Sequence, residues 1–244
     1  MTGVWWRHDR PAWPRLKGEP HGRGHRDLLP LAVGVAVSPV PIIAVILMLL
    51  APGAGGTSAG FLAGWVVGIV VATVVFTVVA ASTDLGDPGN PSALASWVKL
   101  VLGVLLLALA VRDLRPKPTA DGKPALPKWM SAIEAMTPPR AAGLAFLLAA
   151  VNPKNLAMCV AAGVAIAGGS LSGGGTAVAV AVFTVLAACT VAAPVLAYAV
   201  AADRMRGPLD RLRGWLEQHN SAVMGVLLLV LGVVLIGKGI GALV

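Results

Sequence analysis

The sequence predicts an all-α polytopic membrane protein: six transmembrane helices forming two inverted three-helix repeats, with helices one and four broken by proline. Three observations predict this. The chain is 57% hydrophobic and 12% charged, with mean hydropathy +0.82, a balance outside that of soluble domains. Its apolar residues gather in six runs, each near the roughly 20 residues that cross hydrocarbon as a helix. Two of these runs carry a proline at matching places, Pro39 and Pro153.

The first run, Leu28 to Leu50, follows a basic tail, residues 1–27, which lacks an apolar h-region and is expected to be disordered. Inside this run, Val37-Ser38-Pro39-Val40-Pro41 removes backbone donors. Hydrocarbon tolerates that only where protein or a water-filled cavity satisfies the freed groups. Pro52-Gly53-Ala54-Gly55-Gly56 then marks a turn into the second run, Ser58 to Ala81. Asp84 to Ser92, with two prolines and two glycines, connects it to the third, Ala93 to Val111. A basic linker, residues 113–140, separates the first repeat, 28–112, from the second, 141–244. The fourth run, Ala141 to Ala167, contains Val151-Asn152-Pro153-Lys154, and Gly168 to Gly175 turns the chain into the fifth, Thr176 to Ala201. A second basic connection precedes the sixth, Ser221 to Val244.

Sliding the chain on itself by 114 residues places Pro39 on Pro153 and Gly55 on Gly169. Three crossings per repeat oblige the second half to enter from the opposite face, which gives a pseudo-twofold axis in the membrane plane. Charge sets the orientation. Arg112, Arg115, Lys117, Lys123, Lys128 and Arg140 lie in one long connection and Arg204, Arg206, Arg211 and Arg213 in the other. The positive-inside rule therefore puts 112–140 and 202–220 in the cytoplasm of a plasma (inner) membrane, against the opposing charge of the tail. Each connection also carries an apolar stripe at helical spacing suited to the interface: Leu126, Trp129, Met130, Ile133 and Met136, then Met205, Leu209, Leu212 and Leu216.

Several functions are excluded by what the runs lack. None of the eleven acidic residues sits mid-run, and the four histidines, His8, His21, His25 and His219, lie in the tail or a connection. Metal, haem and hydrolytic centres need such groups inside the bilayer, so no enzyme, metal or cofactor is expected. The net charge of +8 flanks apolar runs, which points to anionic lipid headgroups and away from nucleic acid. Cys159 and Cys189 sit among small apolar residues, the setting of inert thiols.

Lys154 stands apart. It lies about 20 Å into the fourth run at 1.5 Å per residue, too deep for easy snorkelling. If Pro153 opens the helix, Lys154, Asn152 and Asn155 face one cavity suited to an anionic headgroup or carboxylate. Alternatively, Lys154 binds loose carbonyls or a loop carboxylate and props the break open.

The strings Leu31-Ala32-Val33-Gly34-Val35-Ala36-Val37-Ser38-Pro39-Val40-Pro41-Ile42-Ile43-Ala44-Val45 and Ala150-Val151-Asn152-Pro153-Lys154-Asn155-Leu156, with the basic link between halves, carry a family resemblance. Over residues 28–244 the chain resembles the GAP/Sap branch, the actinobacterial glycolipid- and sulfolipid-1-addressing proteins, of the lysine-exporter superfamily of six-helix transporters. The resemblance implies a transporter or transport accessory moving a lipid or glycolipid across the plasma membrane towards the cell surface. The candidate substrate-binding residues are Ser38, Pro39, Pro41, Asn152, Pro153, Lys154 and Asn155. Expected partners are membrane lipids and lipid or glycolipid cargo, with glycolipid synthesis or export proteins and a homo-oligomer also open. Two alternatives remain: a small-solute, amino-acid-like exporter, although Pro39-Val40-Pro41 stands where such exporters tend to have Pro-Gly-Pro, and a non-transporting scaffold of a glycolipid synthesis or export complex.

Overall fold

The computed structural model describes residues 23–83, 93–115, 133, 136–169 and 171–241, all the regular structure being helical. The elements are α1 (Arg23–Ala36), α2 (Pro39–Leu50), α3 (Ala54–Ser82), α4 (Ala93–Leu114), α5 (Pro138–Ala150), α6 (Pro153–Ala167) and α7 (Gly173–Ile240). The tail up to residue 22, the Asp84 to Ser92 connection, most of the 113–140 linker with Leu126, Trp129 and Met130, and the last three residues lie outside the described residues.

Both proline runs are bent. The axes of α1 and α2 turn by 46° across residues 37 and 38, and those of α5 and α6 by 63° across 151 and 152. In each case the residue before proline takes an extended backbone, Ser38 at ψ 95° and Asn152 at ψ 122°, because the proline ring crowds a helical conformation there. Proline then occupies the first helical position of α2 and of α6, where its missing N–H has no intrahelical partner to lose. Counting each bent pair as one span, with α3, α4 and α7, gives five candidate crossings.

The difference from six runs lies in α7. Its 68 residues would extend roughly 100 Å if straight, about three times the hydrocarbon thickness. Ala201 leaves helical geometry at φ −147°, ψ 55° and divides the element there. The basic connection after it is helical and runs on into the last apolar run; Arg213 and Glu217, paired at 2.7 Å one turn apart, support it. Leu209 and Leu216 of its stripe join the buried core, whereas Leu212 is 41% exposed. The turn before α3 is also shorter than the glycine run suggests. Gly53 alone adopts a left-handed backbone, φ 80°, and the helix starts at Ala54.

Glycine seams set the packing. In α3, Gly60, Gly64 and Gly68 lie against Pro138, Ala142 and Phe146 of α5, so the two helices run parallel with backbones in contact. Gly225, Gly232 and Gly239 of α7 recur every seven residues and meet Leu114, Leu107 and Leu100, so α4 runs antiparallel to the end of α7. The broken pairs also oppose each other. Gly34 faces Met158 while Ser38 faces Lys154, which makes α1 antiparallel to α6. Trp65, Phe61 and Phe183 fill the centre, fully buried. Outward, α3 presents Val67, Val71, Val74, Val75, Val78 and Val79 and α4 presents Val101, Val104 and Val111. Apolar faces of this extent are stable in lipid, not in water.

Candidate functional site: the paired helix breaks

A helix interrupted by proline leaves carbonyls without partners, and the site is built from how these are satisfied. In α1, the N–H of residue 38 would ordinarily serve the Gly34 carbonyl, and residue 39, as proline, has no N–H for Val35. The Ser38 N–H turns back to Ala36 O at 2.9 Å, which frees Gly34 O. Lys154 takes its place. Its Nζ donates to Gly34 O at 2.7 Å, to Val37 O at 3.2 Å and to Ser38 Oγ at 2.6 Å. An ammonium has three protons, and these three bonds use all of them.

The charge is placed where the fold can hold it. Lys154 is 2% exposed and Ser38 3% exposed, and all three acceptors are dipoles rather than acids. Gly34 lies in the last turn of α1 and Val37 follows it directly, where unsatisfied carbonyls carry the negative pole of the helix, so a cation there is stabilised without a carboxylate. The second half thus caps the broken helix of the first.

Within the second half the same position is satisfied differently. Leu148, 114 residues after Gly34, has its carbonyl freed by the break, and Asn155 Nδ2 donates to it at 3.0 Å. Asn152 caps α6 by accepting from the Lys154 backbone N–H at 3.0 Å. Asn155 Oδ1, wholly buried, has no hydrogen-bond partner among the described residues, nor has the indole N–H of Trp65. Of the sequence-derived site residues, Ser38 and Lys154 touch directly, Asn152 and Asn155 serve their own break, Pro39 and Pro41 are buried in α2, and Pro153 is exposed.

Two participants carry no signal a sequence reading would single out. Thr190 Oγ1 of α7 donates to Ala36 O at 2.6 Å, a second donor on the carbonyl that already accepts the Ser38 N–H. A threonine in an alanine-rich run is its only mark, though such groups commonly bond across helices in membranes. Gly34 is the other. Its bare Cα admits Leu231 and Met158, and beside it an apolar groove of about 610 Å³ runs between Pro30 and Val33 of α1 and Ala222 to Leu231 of α7. Cys159 is buried and Cys189 exposed, and both are free thiols.

Both breaks, the Lys154 tie and the groove fall inside the stretch, residues 28–241, that matches the family model described as Sap, sulfolipid-1-addressing protein. The chain belongs to the Sap family. The matched stretch begins at Leu28, where the first apolar run begins, and omits the basic tail. No curated protein and no solved structure matches the chain. As a Sap-family member with several apolar helices whose outer faces suit lipid, it is a membrane protein of a lipid-addressing family.

Proposed function

We propose that this protein moves a lipid or glycolipid across the plasma membrane towards the cell surface, as a transporter or as the membrane-embedded accessory of one. The observation that carries the reading is the pair of broken spans tied to one another by a buried lysine, beside an apolar groove at Gly34. Broken helices expose polar backbone at membrane depth only where protein or a cavity uses it. The antiparallel packing of α1 with α6, and of α4 with the end of α7, supports six crossings in two inverted repeats, with the division at Ala201 separating the last two. The basic segments 112–140 and 202–220 then lie in the cytoplasm.

In this reading the seven break residues form the substrate site. The groove receives an acyl chain, and the anionic or hydroxylated headgroup meets the breaks. There it competes with Gly34 O, Val37 O and Ser38 Oγ for the protons of Lys154, while a headgroup hydroxyl satisfies Asn155 Oδ1. An anion that displaces three dipoles loosens the contact between the halves, which couples cargo binding to rearrangement. The apolar lining of the groove favours lipid over an amino-acid-like solute. The reading assigns no catalytic step and no cofactor.

The test is purified protein reconstituted into liposomes containing a headgroup-labelled glycolipid, with the label on the outer leaflet destroyed by a membrane-impermeant reagent. A carrier exposes inner-leaflet label faster than protein-free liposomes do. A rate equal to that of the empty liposomes leaves the protein as a scaffold of a synthesis or export complex.

A further inference from the structure

Away from the breaks, one surface combines an apolar slot with two cations. Val104, Leu107, Ala108 and Val111 of α4 line a pocket of about 420 Å³ that ends at Arg112 and Arg115. Residues three and four apart share a helix face, so the slot and both guanidinium groups form one stripe. Val104 is 59% and Val111 53% exposed, which turns the slot towards the bilayer instead of the core. The Arg115 N–H still bonds Val111 O at 3.2 Å, so the last turn of the helix holds Arg115 in line with the slot.

The arginines are not consumed by the fold. The Arg112 side chain is 72% exposed, and Asp113 reaches its Nε at 3.8 Å with a single oxygen, at the outer limit of an ion pair. A guanidinium offers five donors in a planar fork, so this contact leaves most of them unused. Cations near a helix C-terminus also answer the helix dipole, which accounts for the charge but not for the slot above it.

We infer that this stripe is a binding site for an anionic phospholipid, with an acyl chain along Val104, Leu107, Ala108 and Val111 and the phosphate between Arg112 and Arg115. Charge complementarity selects the occupant: an apolar channel closed by two phosphate-matching forks suits a phospholipid better than a neutral lipid or a protein helix. The site stands apart from the paired breaks and does not depend on what cargo the protein moves.

The experiment is native mass spectrometry of the full chain purified with phosphatidylglycerol and phosphatidylcholine in equal amounts. The wild type is expected to retain phosphatidylglycerol selectively, and the double variant Arg112→Gln/Arg115→Gln to retain it about tenfold less or lower. Arg206→Gln/Arg211→Gln removes two exposed charges elsewhere and is expected to leave retention unchanged. Ala108→Phe fills the slot with both arginines intact and is expected to reduce retention as well. Equal loss in the two double variants, or full retention by Ala108→Phe, would overturn the site in favour of diffuse attraction. Retention of phosphatidylcholine to the same extent would overturn the anion assignment, and, when an equal amount of a sulfated glycolipid is added to the mixture, its preferential retention would overturn the phospholipid one.

Discussion

Replacing Lys154 by methionine removes the tie between the halves while keeping a long apolar side chain in its place. Gly34 O, Val37 O and Ser38 Oγ each lose a donor, and Gly34 O and Ser38 Oγ are left buried. A buried acceptor left unsatisfied costs about 1–3 kcal/mol, so these two together cost roughly 2–6 kcal/mol before relaxation. Against this stands the relief of burying a cation, about 2.5–3.5 kcal/mol on insertion scales. Most of that relief cancels, because separated helices already in the bilayer carry the same lysine at depth. We therefore expect a net loss of about 2–4 kcal/mol in unfolding free energy. The assay is reversible denaturation of purified protein in mixed micelles, run as a double-mutant cycle with Ser38→Ala. A coupling of about 1–2 kcal/mol between positions 38 and 154 is expected for a charge-assisted bond. Stability within about 0.5 kcal/mol of wild type, with strictly additive singles, would refute the reasoning.

A Cβ at Gly64 would overlap the backbone carbonyl of Ala142, so Gly64→Ala should destabilise by about 3 kcal/mol, whereas Gly143→Ala, with open space around it, should be neutral or stabilising in the same denaturation assay. Thr190→Val should cost only about 1 kcal/mol by that measurement, because Ala36 O keeps the Ser38 N–H when the hydroxyl is gone. For topology, cysteine placed by Pro88→Cys should label from outside intact cells and by Ala120→Cys should not; the reverse pattern would invert the orientation.

Much of this architecture is legible in residue identities because proline and lysine are costly at membrane depth. Pro39 and Pro153 mark both bends, and the carbonyls that the breaks leave, Gly34 and Leu148, prove to share the same separation of 114 residues. What Lys154 binds is less legible. Backbone carbonyls have no sequence signature, so the choice between a ligand and loose carbonyls needed coordinates, which place three protein acceptors on its three protons. Thr190 stayed hidden for the same reason, since its partner is a carbonyl 154 residues away. Connections are less legible where a single residue decides them. Gly53 makes the turn before α3 with one positive φ, and Ala201 breaks α7 although alanine is the strongest helix former. The segment after Ala201 is helical, as the spacing of Met205, Leu209, Leu212 and Leu216 anticipates, and Leu209 and Leu216 set it against the core.

The central claim is that the paired breaks are where lipid crosses. Its most direct measurement is the translocation rate of a headgroup-labelled anionic glycolipid in liposomes, for wild type, Lys154→Met and, as a control that removes a cation from the second turn of α4, Lys99→Met, each normalised to folded protein recovered after reconstitution. The account predicts rapid translocation by wild type and by Lys99→Met, and a rate at or near that of protein-free liposomes for Lys154→Met. Translocation by folded Lys154→Met at the wild-type rate would contradict it.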